Sequence, residues 1–236
     1  MKVAENSTLS KAVRKLVNYW EIDKAILFSI ANILIRSLLA GPLVAFLITK
    51  FLTPEIQGFY YTFNSILGIQ VFIQLGLGVV ITQFAAHEWT GLQFDGKVIV
   101  GNSENRSRLA SLLMIAVRWY GIGSVVFILI SSIMGHVFFA HANTQVAWKA
   151  PWLVLCILTG IRLLLVPCFS LLEGCGQISS VCGYRAAESL VYTIAICSTL
   201  ILRLGLWVTV GTSFCTLLAA FIYLFGHFRH FFYRTS

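Results

Sequence analysis

Charge is what this sequence has least of. Only 11% of its 236 residues are Asp, Glu, Lys or Arg, against 58% that are hydrophobic. A water-facing domain carries roughly 25% charged residues, so the polar surface that would coat a soluble fold is missing. Long hydrophilic stretches are scarce too: after residue 24 the longest is 87–108. In their place stand apolar runs longer than the ~20 residues that cross a hydrocarbon core. Backbone amides find no partner in lipid, so such runs must be helices or closed barrels. The alternation of a barrel strand is absent. The chain reads as an all-α integral membrane protein, with about six transmembrane helices forming one bundle.

Other absences exclude more. Residues 1–24 carry charges of both signs and no apolar core, so no cleavable signal peptide is expected. Paired carboxylates, a nucleophile beside a base, and His-rich clusters are all missing, so neither an enzyme nor a metal site is expected, and no cofactor. Four of the six cysteines (Cys156, Cys168, Cys197 and Cys215) lie inside apolar runs, where they act as small hydrophobes. Cys175 and Cys182 are placed in one short loop without a neighbouring His. LGLGVV at Leu75–Val80 lacks the preceding strand of a phosphate loop. Its glycines, with Gly121, Gly123 and Gly160, are better suited to close helix packing.

The spans predicted from hydropathy are about 26–49, 58–86, 110–140, 151–173, 186–203 and 206–226. An interfacial segment, 1–25, precedes them and an aromatic, basic tail, 227–236, follows. Pro42 and Pro167 are expected to kink the first and fourth spans. Asp95-Gly96, between short β-prone runs, predicts a hairpin turn.

A net charge of +8 would point to nucleic acid in a soluble protein. Here eleven Lys and Arg fall in the N-terminal segment, in alternate connections and in the tail. Only Lys50, Lys149 and Arg203 fall in the opposite connections. The asymmetry places both termini in the cytoplasm and requires an even number of spans. Membrane lipids are the partners this charge implies, and nucleic acid is not.

Three basic residues remain, and they lie inside spans: Arg36, Arg118 and Arg162. An arginine at mid-bilayer costs at least about 2.5–3.5 kcal/mol, so it normally faces a partner or a water-filled cavity. Ser29, Asn32 and Arg36 stand at i, i+3, i+7, one polar stripe on a helix. Arg162 is central in its span, whereas Arg118 is shallow enough to snorkel. Glu173 and Glu188 are placed near span ends, leaving the deep arginines without matching acids. That pattern predicts a cavity for an anion, and a guanidinium suits phosphate because its planar fork donates paired hydrogen bonds. Gln70 and Gln74 share a helix face and either line the same cavity or tie helices together.

Three segments carry a resemblance. FLTPEIQGFYYTFNSILGIQVFIQLGLGVVITQFAAHEW resembles the first-and-second-span region of O-antigen and polysaccharide flippases. SRLASLLMIAVRWY, entering span three, and LLEGCGQISSV, after span four, are similar to the same family. It belongs to the multidrug/oligosaccharidyl-lipid/polysaccharide exporter superfamily, whose members pair two six-helix bundles around a central cavity. The resemblance implies translocation of undecaprenyl-pyrophosphate-linked oligosaccharide across the bacterial inner membrane for polysaccharide or lipopolysaccharide O-antigen synthesis. It implies that cationic cavity residues, here Arg36, Arg118 and Arg162, hold the pyrophosphate. The chain matches one bundle of the two, so it reads as a half-transporter or truncated product needing a second six-helix half or another copy of itself. The alternative is a membrane enzyme or assembly partner that handles polyprenyl-linked sugars.

Overall fold

A computed structural model describes residues 26–30, 33–34, 41–74, 76–95, 98–140 and 146–233, with side chains for all of these except 93–95, 98–100 and 227–233. Asn32 and Arg36 lie outside the described residues, as do residues 1–25 and 234–236.

Residues 26–30 are helical, and helix α1 follows at Gly41–Phe51, with Pro42 in its first turn. A proline there loses no intrahelical bond, because the first amides have no partner anyway. Between α1 and the next helix Thr53 sits extended, and its hydroxyl accepts from the Ile56 amide at 3.5 Å. Pro54 then opens α2, Pro54–Leu67. A single span was expected over 58–86, but Gly68 and Gly76 divide it. A turn at Gly68 separates α2 from the five-residue α3, Gln70–Gln74. Gly76 has φ +74° and precedes α4, Leu77–Trp89. Only glycine takes that conformation without strain. Replacing Gly76 with valine is therefore expected to cost about 1–2 kcal/mol, seen as a lower unfolding midpoint in detergent.

The expected hairpin is present. Strands β1, Leu92–Asp95, and β2, Val98–Gly101, pair antiparallel with Asp95 opposite Val98, so Asp95 belongs to the strand and the two connecting residues are 96–97 instead of the expected Asp95-Gly96. It joins α4 to the long α5, Ser103–Ala140. Asn102 caps α5, its Oδ1 accepting from the Glu104 amide at 3.0 Å, and Arg108 bonds Glu104 at 2.7 Å one turn on.

Helix α6, Lys149–Gly174, is the centre of the bundle. It lies close against α4 and α5, less closely against α8 (Trp207–Tyr233), and only loosely against α7 (Ile178–Ile201). Small residues set the close approaches. Gly135 of α5 lies directly under the Trp152 indole, and Trp152 Nε1 donates to the Ser131 carbonyl at 3.2 Å. Gly160 admits Ile128, and Ser124 Oγ donates to the Gly160 carbonyl at 2.7 Å. Thr82 of α4 reaches the Ser170 carbonyl at 3.1 Å. Phe59, Phe63, Phe139 and Trp148 surround Trp152 to form the densest aromatic core. Pro167 is accommodated inside α6, which runs on to Gly174. Gly176, at φ +78°, then turns the chain out, and the Gln177 amide donates back to the Leu172 carbonyl at 3.0 Å. All six cysteines are free, and Cys182 belongs to α7, not to a loop shared with Cys175.

Among the described residues, four stretches are long and apolar enough to cross a membrane: Pro54–Trp89, Ser103–Ala140, Lys149–Gly174 and Trp207–Gly226. The outer face of α5 shows why water is the wrong solvent. Ile115, Ile122, Ile133 and Val137 are each more than 60% exposed, a contiguous apolar surface that a soluble monomer rarely leaves uncovered. These several long apolar helices make this an all-α, membrane-embedded chain. The first predicted span, 26–49, is described only in parts. The stretch predicted as the fifth falls in α7, which is not among these four; it begins at Ile178 instead of 186 and carries Arg185 and Glu188.

Candidate functional site

That earlier start of α7 changes the electrostatics of the bundle. A span beginning at 186 put Glu188 near its end; in the structure Glu188 lies 10 residues after Ile178 and 13 before Ile201. Arg162 is likewise central in α6, 13 residues after Lys149 and 12 before Gly174. The two meet as an ion pair, Arg162 Nη2 on Glu188 Oε1. Arg162 Nη1 also donates to Thr216 Oγ1 of α8 at 3.1 Å. The expectation of a deep arginine without an acid is thus corrected. A helix start misplaced by two turns hid its partner.

A cavity of about 550 Å³ opens between α2–α3, α6, α7 and α8, and Arg162 stands in its wall. The arginine side chain is 48% exposed, and that of Glu188 is 16% exposed. Gln70 and Gln74 of α3 line the same cavity, as the sequence allowed, together with Asn64 of α2. Two arginines, Arg162 and Arg185, and one glutamate, Glu188, are the charged lining residues. Arg185 in turn bonds Glu173 at 2.6 Å, so each arginine of the wall has a carboxylate partner.

The cavity is lined by helix faces. Thr159, Arg162, Leu163 and Val166 repeat at i, i+3, i+4, i+7 on α6, and Arg185, Glu188, Ser189 and Tyr192 repeat the spacing on α7. That second stripe was visible in the sequence, and a period count begun at 178 would have found it. Thr216 is already committed, since its hydroxyl donates to its own helix at the Thr212 and Ser213 carbonyls, both at 3.1 Å. It therefore offers Arg162 a lone pair and nothing to an anion. The break at Gly68 fits this location: irregular backbone at membrane depth survives only where it is buried or faces a wet cavity, and Gly68 is a lining residue.

Arg118 is not brought to this place. It is exposed on α5, on the face shared with Ile115 and Ile122 at i−3 and i+4, away from the buried stripe of Ala116, Tyr120 and Ser124. A long side chain there reaches for the interface. Exchanging Arg118 for glutamine should leave anion binding by the chain within twofold of the parent, measured by titration calorimetry. Asn32 and Arg36, outside the described residues, receive no placement.

Among the described residues no group of three or more His, Cys, Asp and Glu could hold a metal ion. What the cavity offers is guanidinium, carboxamide and hydroxyl, with the Glu188 carboxylate beside them. No family model, curated protein or solved structure matches the chain. The functional reading therefore stands on the chemistry of the site.

Proposed function

We propose that this chain takes part in moving an undecaprenyl-pyrophosphate-linked oligosaccharide across the bacterial inner membrane, for polysaccharide or O-antigen synthesis. The chain acts by binding and exposing its ligand and performs no bond chemistry. In this reading it crosses the membrane six times with both termini in the cytoplasm, α1 and the residues before it supplying the first span and α7 the fifth. It works as one half of a two-bundle carrier, beside a second six-helix half or another copy of itself.

The observation that carries the reading is Arg162. It sits mid-helix on a loosely packed side of α6, facing a polar cavity of about 550 Å³ that Arg185 also lines. A cation in the middle of a membrane helix needs a partner or a wet cavity, and Arg162 has both, Glu188 on one nitrogen and the cavity beside it. The divided helix α2–α3–α4 at the cavity is the second support, because two-bundle carriers place their ligands at such interruptions. The sugar would meet Asn64, Gln70 and Gln74, whose amides both donate and accept.

Reconstitution in vesicles with a fluorescent undecaprenyl-pyrophosphate sugar tests the proposal. Ligand in the outer leaflet is quenched with time, and the chain, with its other half if one is needed, should speed transfer over protein-free vesicles. Arg162→Ala should return the rate to that of bare lipid. Equal transfer by parent and variant removes Arg162 from the mechanism; no transfer, with binding retained, leaves a binding partner in place of a carrier.

A further inference from the structure

Glu188 has no place in the binding scheme just given. It is an anion in the wall of a site proposed for anions, and it already bonds one nitrogen of the guanidinium the ligand would use. We infer that Glu188 is the cavity's resident counter-anion: it holds the Arg162 guanidinium while the cavity is empty, yields it to the incoming phosphate, and so lowers ligand affinity. The inference rests on the anion-binding reading above and specifies how that site is regulated.

The geometry argues it in three steps. First, Arg162 has two partners and both ends of its fork are engaged, Nη1 by Thr216 and Nη2 by Glu188. A phosphate that takes Nη1 and Nη2 in the paired fashion comes onto the same two nitrogens as Thr216 and Glu188 and competes with them there. Thr216 is fixed by its bonds to its own helix, so the carboxylate is the partner that can leave. Second, a phosphate on Nη2 with Glu188 still there would place two anions in contact in a poorly screened cavity, which is strongly repulsive. Third, the displaced carboxylate has somewhere to go. Arg185 precedes Glu188 by one turn on α7, both line the cavity, and residues three apart on a helix face each other. Arg185 is half exposed and bonded to Glu173 alone among the described acids. Its guanidinium has donors left for a second carboxylate. Glu188 can thus change arginines without losing charge compensation.

The competing account makes Glu188 a strut that ties α7 to α6 across their loose contact. The two accounts predict opposite signs. The measurement is calorimetric titration of the chain in zwitterionic nanodiscs, with inorganic pyrophosphate in one arm and undecaprenyl pyrophosphate in the other, to separate a free from a lipid-borne phosphate. Glu188→Gln keeps shape and removes the competing charge. It should bind about three- to tenfold more tightly than the parent in at least one arm, the size expected for releasing one partly exposed ion pair. Glu188→Asp, withdrawn by one methylene, should gain less, and it keeps the test alive if the glutamine variant does not fold. Equal or weaker binding by the folded variants, with parent binding that depends on Arg162, overturns the counter-anion and leaves the anion site standing. No binding by parent or variants in either arm removes the anion site, and this inference with it.

Discussion

Replacing Arg162 with alanine is expected to weaken pyrophosphate binding by roughly ten- to a hundredfold. A hydrogen bond to a charged group contributes about 1.5–3 kcal/mol, and each 1.4 kcal/mol is about tenfold in affinity. The estimate leans to the upper end because truncation does more than delete a donor. It leaves Glu188 in the wall without its cation, a bare carboxylate facing the ligand. Arg162→Lys should fall between: the charge survives, but a point charge cannot present the two parallel donors of a fork. Titration calorimetry on folded protein reads both. If alanine binds as tightly as the parent, the phosphate sits elsewhere.

The second large effect is on folding and falls at Trp152. Its side chain is 1% exposed, its ring lies 4.7 Å from that of Phe63 and its Nε1 bonds the Ser131 carbonyl. Trp152→Ala should destabilise the bundle by about 3–5 kcal/mol, as aromatic truncations in packed cores do. Lipid does not refill such a hole, because it lies between α2, α5 and α6 and not on the outer surface. The reciprocal change probes the same contact from the other side. A Cβ on Gly135 would overlap the indole, so Gly135→Val should also unfold the protein at lower denaturant. If the two residues oppose each other as described, Gly135→Val combined with Trp152→Ala should be more stable than the sum of the single changes allows, because the valine fills space the indole vacated. Strict additivity would show that they do not share a contact.

Much of the fold was readable because lipid is an unforgiving solvent. A helix such as α5 that shows isoleucine and valine on its outer face needs no tertiary information to be placed in a membrane. The hairpin was readable from Asp95-Gly96 because short-range turn chemistry decides it. Boundaries were harder where polar residues enter a helix. Arg185 and Glu188 lowered the hydropathy of the first half of α7, so a window on apolarity began the span at 186, whereas the backbone begins at Ile178. An ion pair satisfied across the bundle makes a polar stretch as acceptable in lipid as an apolar one, and hydropathy cannot see the partner. The same limit applies to the two described arginines, Arg118 and Arg162. Depth alone sets Arg118 apart from Arg162 in the sequence, and it does not show that one shares a face with Ile115 and Ile122 and the other with Thr159 and Val166. Which face of α5 packs inward is set by Ala116, Tyr120 and Ser124 against α6, and that is decided by packing. The breaks at Gly68 and Gly76 were hidden because the hydropathy runs through them unchanged.

The most direct test of the account is whether Arg162 touches the phosphate. Solid-state nuclear magnetic resonance can measure dipolar dephasing between the ³¹P of bound undecaprenyl pyrophosphate and ¹⁵N-labelled arginine side chains in bilayers. The account predicts dephasing at a guanidinium signal that disappears in Arg162→Lys and persists in Arg118→Lys. A saturated ligand that dephases no arginine, or one whose contact survives the loss of Arg162, would contradict it.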